Sequence, residues 1–242
     1  MELEFLDLFH ATFTLIYVII TIICGSIILS RYFIHKNKEF LLMGFFWILL
    51  ITPYLPTVIT LLMIVFLNIS VTIKDFVVIG VCFIPIMGII GYIGFSGLLK
   101  FRKLNYMIGL LIMVIVGVMF EIIFFYFLFT DLSVIATYSG IFSVQWSLFS
   151  RIYFIFNLAV LLIMGILFSR QCFKSKDIEI KLKGKFLLLA FIFFIIGTIL
   201  GFSLTLTIIL VISRIILALS SVLFYMGFTL PNWAKKLFLK EK

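Results

Sequence analysis

Long runs of apolar residues, separated by short charged segments, form the dominant pattern of this 242-residue chain. The runs are close to or longer than the roughly 20 residues that an α-helix needs to cross the hydrocarbon core of a bilayer. The stretch 186–231 is too long for one span, so it is expected to turn near 201–205. The pattern therefore predicts seven membrane-spanning helices, at 8–30, 40–67, 75–99, 106–129, 146–169, 186–203 and 206–230.

The second apolar run has two interpretations, because Pro53 and Pro56 lie in its middle. Proline interrupts a helix, so the run is either one kinked span or a short hairpin. Positive charge decides between them, since basic loops stay on the cytoplasmic side of a membrane. With one kinked span, a single side holds the four segments that contain sixteen of the 19 Lys and Arg residues: 31–38, 100–103, 170–185 and 235–242. The sequence therefore predicts a seven-span protein of the cell membrane, with its N-terminus outside and its C-terminus in the cytoplasm.

Composition supports this topology. Hydrophobic residues make up 65% of the chain and charged residues 12%, about half the charged share of a typical soluble domain. Because a soluble fold of this length cannot bury so much apolar surface, an ordinary globular enzyme, a disordered chain and a disulfide-stapled module are excluded. The predicted fold is an all-α integral membrane bundle, one domain over 1–242, whose basic tail, 232–242, forms a short helix on the inner leaflet. The net charge of +9 then indicates contact with the lipid bilayer and its anionic headgroups, and not with nucleic acid.

Three short sequence echoes suggest an internal repeat. They join the first three spans to the last three in the same order, so the fourth span would be an inverting linker in a parallel 3+1+3 arrangement. Transporters with parallel repeats bind their substrates at the repeat interface. The paired segments are 27–31 with 166–170, 40–45 with 186–191, and 92–96 with 225–229.

Glu121 and Arg214 are two charges that lie deep inside apolar sequence. A lone charge in hydrocarbon costs several kcal/mol, so each is expected to face the bundle interior and find a partner. Counting from the nearest outer helix ends places both roughly 12–14 Å below the outer surface. Their shared depth predicts a salt bridge between the fourth and seventh spans. It would be either a fixed packing clasp or part of a ligand-binding pocket or switch reached from outside.

The mouth of such a pocket is predicted where polar side chains stand near the outer helix ends. For His10 the alternative is an interfacial histidine without a ligand. The connection 130–145 either caps the bundle from outside or is a plain amphipathic loop. The candidate residues at the mouth are His10, Tyr138, Gln145 and Arg151.

Prolines and glycines mark two places where helices are expected to bend or approach each other closely. Pro53 and Pro56 predict the kink in the second span. In the third span, small residues three apart predict close helix packing, with a flexible hinge as the alternative. There, Pro85 is followed by Gly88, Gly91 and Gly94.

Catalytic and metal-binding patterns are absent from the sequence. It contains no nucleophile elbow, zinc-protease motif, P-loop or pair of intramembrane aspartates. The three cysteines form no C-x-x-C pair, and the two histidines, His10 and His35, stand at opposite ends of the first span. Neither a metal site nor a haem is expected from them. The chain is therefore predicted to be a non-enzyme without a cofactor.

The seven-span layout with its 3+1+3 echo resembles a broad superfamily of sugar-type facilitators, microbial rhodopsins and the seven-helix sensor regions of histidine kinases. The segment 207–230 contains no lysine, so the retinal attachment site of rhodopsins is missing. The Pro-Gln motif of related transporters is missing as well, and the prolines lie in spans two and three, not in one and five. The closest likeness is to stand-alone archaeal seven-helix proteins that look like kinase sensor regions without the kinase.

This resemblance implies a receptor-like or sensory module that takes a small ligand in an outward-facing polar pocket. Only 11 residues follow Pro231, so a signal is expected to pass to a separate cytoplasmic partner, with the basic loop 170–185 as the contact. Two alternatives stay open at this stage: a facilitative transporter of a small solute, and a structural membrane partner. The sequence leaves the oligomeric state undetermined.

Overall fold

Seven long apolar helices form the body of the protein. The computed structural model describes residues 5–203 and 206–239, and the seven predicted spans are found within them. An all-α bundle of membrane-spanning dimensions is thereby confirmed. The helices are α1 (Phe5–His35), α2 (Lys38–Leu49), α3 (Leu55–Leu67), α4 (Ile73–Val81), α5 (Ile84–Leu98), α6 (Lys103–Thr130), α7 (Leu148–Phe173), α8 (Ile178–Ser203), α9 (Thr207–Thr229) and the short α10 (Asn232–Phe238). Of the turn predicted at 201–205, residues 204 and 205 lie outside the described residues.

The second span consists of α2 and α3, joined by a 3₁₀ turn at Thr52–Tyr54. Pro53 lies in this turn and Pro56 in the first turn of α3, where a proline's missing N–H group breaks few helical hydrogen bonds. Together the two segments make a single 30-residue span, Lys38–Leu67. The kinked-helix interpretation is confirmed, and the hairpin alternative is not formed.

The third span is interrupted in the same way between α4 and α5. The interruption falls at residues 82–83, just ahead of Ile84 and Pro85, which begin α5, because a proline ring clashes with the carbonyl group four residues earlier. The glycines that follow allow close approach. A Cβ atom on Gly91 would lie 2.6 Å from the Phe46 ring in α2, and one on Gly94 would lie 2.8 Å from Met43 Sδ.

The spans follow chain order around the bundle, except that α6 lies at its edge. α1 packs between α2 and α9, α8 packs between α7 and α9, and α5 contacts α2, α6 and α7. The most apolar part of α6 is only 22% buried, the lowest share among the seven described spans. The centre of the bundle is aromatic, with the rings of Trp47 and Phe224 stacked at 3.4 Å.

The connection between α6 and α7 folds back onto one end of the bundle, here called the hairpin end. Its strands β1 (Ala136–Gly140) and β2 (Ser143–Trp146) pair antiparallel. Thr57 Oγ1 donates a hydrogen bond of 3.0 Å to the Phe142 carbonyl oxygen between the strands. Phe142 is buried against Ala11 and Leu61. The connection is therefore a folded cap and not a plain loop.

The opposite end, here called the tail end, is covered by α10. Ala234 is buried with Phe186, Met226 and Leu230. Lys235 Nζ lies 2.7 Å from the Glu179 carboxylate, which makes the one salt bridge found in residues 5–203 and 206–239. The predicted short helix in the tail is thus present up to Phe238 and is packed against the bundle.

Candidate functional site

Arg214 in α9 is the centre of a buried polar cluster. Its side chain is only 6% exposed. Nε donates a hydrogen bond of 3.1 Å to Thr14 Oγ1, and Nη1 donates one of 3.1 Å to Ser213 Oγ. Nη2 lies 3.3 Å from His10 Nε2, and the guanidinium carbon lies 4.6 Å from the centre of the Tyr54 ring. These five residues are called the Arg214 site below.

Helical spacing explains why α1 supplies two of the partners. His10 and Thr14 are four residues apart, so both face α9. Thr14 Oγ1 donates its own proton to the His10 carbonyl oxygen at 2.8 Å, and Ser213 Oγ donates to the Gly197 carbonyl oxygen at 2.8 Å. A hydroxyl has a single proton, so both oxygens present lone pairs to Arg214. The two hydroxyl groups are therefore fixed as acceptors.

The guanidinium keeps unused hydrogen-bonding capacity. An arginine side chain has five N–H groups, and the described partners take at most three of them. Within the part of the chain that the structure describes, one N–H group on each terminal nitrogen is left. No carboxylate oxygen of residues 5–203 or 206–239 lies within 4.0 Å of the guanidinium. Because a buried cation without a counter-ion is unfavourable, the site is suited to hold an anion.

Two cavities meet at Arg214. The hairpin-side pocket, of about 40 Å³, lies beneath the β-hairpin and is mainly polar, with His10, Thr57, Ser139 and Ser143 among its lining residues. The central cavity, of about 120 Å³, lies deeper between the helices and is lined mostly by apolar and aromatic side chains. The residues common to both linings are Pro53, Trp146, Gly201, Phe202 and Arg214.

The predicted salt bridge between Glu121 and Arg214 is not formed. Glu121 belongs to the peripheral α6, which packs mainly on α5, whereas α9 packs on α1 and α8. Both carboxylate oxygens of Glu121 are buried and have no hydrogen-bond partner among the described residues. The expectation was wrong because equal depth in the bilayer fixes only the height of two residues, and not their positions around the bundle.

The structure brings together two of the six predicted pocket residues, His10 and Arg214. His10, for which the alternative was an interfacial histidine without a ligand, is buried and lies against the guanidinium. Arg151 instead donates from Nε to the Trp146 carbonyl oxygen at 2.8 Å and so fastens the hairpin to α7. Tyr138 and Gln145 are exposed on the strands and line neither cavity.

Sequence reasoning missed Thr14, Tyr54, Thr57 and Ser213. The signal for Thr14 was its position one helical turn after His10. The signal for Ser213 was its place beside a buried charge. Tyr54 lies in the kink between the prolines, where the direction of a side chain does not follow from helical periodicity.

Comparisons of the chain with protein-family models, curated proteins and solved structures find no match. Among residues 5–203 and 206–239, no group of three or more His, Cys, Asp or Glu side chains is arranged to hold a metal ion. The chemistry of the site therefore rests on the geometry around Arg214.

Proposed function

We propose that the protein is a receptor-like membrane module that binds a small ligand in the hairpin-side pocket, next to Arg214. The observation that carries this proposal is the buried guanidinium, which has two N–H groups unused by the described residues where a polar pocket and an apolar cavity meet. Ligand pockets typically combine an apolar lining with a few placed polar groups. The five residues of the Arg214 site include no nucleophile paired with a base, which favours binding over catalysis.

The hairpin end is proposed to face the outside of the cell membrane. With seven crossings, the connections at 36–37, 99–102 and 174–177 and the helix α10 share the tail end. Basic residues are concentrated at or next to these connections. Because basic loops are retained in the cytoplasm, the tail end would be cytoplasmic and the N-terminus external.

A separate cytoplasmic partner would then read the state of the bundle at the tail end. The exposed basic residues around 174–177 and the neighbouring α10 are the proposed contact. The 3+1+3 repeat also remains part of the proposal. Its support is the peripheral position of α6 and a central cavity lined from both halves of the chain.

A facilitative transporter is the second candidate, and one observation favours it. A tail-side cavity of about 180 Å³, with Glu39 and Lys183 in its lining, lies beyond the central cavity in the same bundle. Phe95 lines the central cavity and Phe168 the tail-side cavity, and the ring centre of Phe95 lies 6.3 Å from that of Phe168 and 5.5 Å from that of Phe191. A carrier would have to move these aromatic rings in each cycle, whereas a receptor would not.

Single-cysteine labelling tests the outward pocket. In a variant with Cys24, Cys82 and Cys172 replaced by alanine, Ser143→Cys reports on the pocket and Lys176→Cys on the tail end. A membrane-impermeant thiol reagent added outside intact cells is expected to label Ser143→Cys, and to label Lys176→Cys only after the membrane is opened. Labelling of Lys176→Cys alone in intact cells would overturn the proposed orientation. Failure to label Ser143→Cys under either condition would overturn the pocket.

Flux measurements separate the two candidates. Proteoliposomes containing the protein are shrunk osmotically with glycerol, xylose, glycine or lactate, and the recovery of volume is followed by light scattering. A receptor is expected to give the recovery rate of empty liposomes for every solute. Saturable acceleration by one of them would favour the transporter.

A further inference from the structure

We infer that the ligand is an anionic amphiphile, specifically a single-chain carboxylate whose head binds Arg214 and whose apolar chain lies in the central cavity. This inference rests on the proposed function and names the chemical class of its ligand. The juxtaposition that carries it is one buried cation at the shared boundary of a polar pocket and an apolar cavity.

The head-group chemistry follows from the unused donors. Arg214 has one free N–H group on each terminal nitrogen among the described contacts. A carboxylate can accept two such bonds and neutralise the charge, whereas an alcohol or an amide supplies no negative charge. Ser213 Oγ accepts the other N–H group of Nη1, and His10 Nε2, in the tautomer without a proton on this nitrogen, accepts that of Nη2.

The chain follows from the lining of the central cavity. Beyond Arg214, most of the lining is aliphatic or aromatic, and Asn157 and Thr198 are two of its few polar members. A sugar or an amino acid would leave most of its polar groups without partners there, and this is unfavourable. An unbranched apolar chain would gain favourable contact along the whole cavity. Apolar lining side chains include Phe46, Leu50, Met87, Phe154 and Leu161.

The size of the hairpin-side pocket favours a small head. At about 40 Å³ it is the smaller of the two cavities that meet at Arg214, and the hairpin covers it through Phe142 and the Thr57 hydrogen bond. A carboxylate is smaller than a phosphate ester with further substituents. A free carboxylic acid is therefore favoured over a phospholipid as the source of the anionic head.

Equilibrium binding tests the inference. Purified full-length protein in phosphatidylcholine nanodiscs is titrated with radiolabelled decanoate, in competition with decanol, decyl phosphate and butyrate. Decanoate is expected to bind saturably, and decanol to compete at least about tenfold more weakly because it lacks the charge. Butyrate should be weaker as well, since it lacks most of the chain.

Variants assign the binding to Arg214. Arg214→Gln is expected to weaken decanoate binding at least about tenfold, and Arg214→Lys, which keeps the charge but loses the two-pronged geometry, by an intermediate factor. Lys74→Gln is the matched control, because it removes an exposed positive charge at the same end of the bundle. It should leave the affinity within about twofold.

A cavity variant keeps the test decisive if Arg214→Gln does not fold. Leu161→Trp fills the central cavity without touching the charge, and it should lower the affinity for decanoate at least about tenfold while leaving butyrate within about twofold. Equal affinities for decanoate and decanol, or equal losses in Arg214→Gln and Lys74→Gln, would overturn the inference. Tighter binding of decyl phosphate than of decanoate would overturn the carboxylate assignment.

The labelling experiment separates this failure from failure of the proposed function. If Ser143→Cys is labelled from outside but decanoate neither binds nor slows the labelling, the amphiphile inference is wrong and the outward pocket stands. If Ser143→Cys is never labelled, the pocket itself is wrong. Protection of Ser143→Cys by decanoate, and not by decanol, would support both.

Discussion

At the scale of single residues, the buried guanidinium of Arg214 is held by two hydroxyl groups whose oxygens are oriented toward it as acceptors. The hydroxyl groups of Thr14 and Ser213 each donate their single proton to a backbone carbonyl oxygen. Removing either oxygen leaves an N–H group of Arg214 buried without an acceptor. A buried N–H group without an acceptor lowers the free energy of unfolding by more than an average hydrogen bond contributes. The reason is that the group has lost its hydrogen bonds to water and gains none in the protein.

Thr14→Val should therefore lower the free energy of unfolding by about 1–3 kcal/mol. The measurement is reversible unfolding in detergent micelles, followed by circular dichroism. Thr12→Val is the matched control, since Thr12 donates the same kind of bond to the Leu8 carbonyl oxygen but is exposed and has no contact with Arg214. A loss of the same size in both variants would show that the contact with the guanidinium contributes nothing.

Glu121 and Arg214 should be energetically independent. Glu121→Gln is expected to leave the free energy of unfolding unchanged or higher, because its buried carboxylate oxygens have no hydrogen-bond partner to lose among residues 5–203 and 206–239. In a double-mutant cycle with Arg214→Lys, the coupling energy should stay below about 0.5 kcal/mol. A coupling above about 1 kcal/mol would mean that the two charges interact after all.

The residue scale also shows what the sequence could reveal about the site. Hydropathy identified Arg214 as a buried charge, and the helical rise gave its depth. The partner was misidentified because depth alone does not say which helices are neighbours. The relevant information was the i, i+4 spacing of His10 and Thr14, which places two polar groups on one face of α1.

At the scale of elements, the sequence predicted the long helices well and the connection between α6 and α7 poorly. Apolar runs and the prolines located the interruption in the second span, since the chemistry of proline is local, and the basic segments favoured one kinked span over a hairpin. The signal for the β-hairpin is much shorter. Residues 136–139 and 143–146 alternate between apolar and polar over only four positions each, and the register shifts between Tyr138 and Gly140. Its conformation is determined by contact with the bundle, above all by Phe142.

Thr57→Val should loosen this hairpin. The substitution removes the hydrogen bond to the Phe142 carbonyl oxygen, worth about 1 kcal/mol. Hydrogen exchange of residues 136–146 is expected to quicken several-fold while exchange in α1 and α9 stays the same. Thr60→Val is the control, because Thr60 donates to the Pro56 carbonyl oxygen of its own helix. Unchanged exchange in Thr57→Val would show that Phe142 packing alone holds the cap.

At the scale of the whole molecule, the seven spans differ in how firmly they are held. Lipid chains are as apolar as leucine, so a span gains stability from packing and not from hiding apolar surface. α8 supplies Leu187, which is 1% exposed, whereas Leu111 on α6 is 59% exposed. Apolar content could not distinguish these two helices, because both spans are similarly apolar.

Leu187→Ala is therefore expected to lower the free energy of unfolding by about 2–5 kcal/mol, and Leu111→Ala by less than about 1 kcal/mol. Unfolding in mixed micelles measures both with the same chemical change. Equal losses would indicate that α6 has a covered face in the membrane, as it would in an oligomer.

α9 differs from the second and third spans in having no interruption between Arg214 and its end at Thr229. Those 15 residues form a rod roughly 22 Å long, with neither proline nor helix break to absorb a bend. A tilt imposed at Arg214 would therefore be carried along α9 toward its end at Thr229. That end leads directly into Pro231 and α10, which is fastened to Glu179 by one half-exposed ion pair. One uninterrupted helix thus leads from the Arg214 site to the segment that precedes α10.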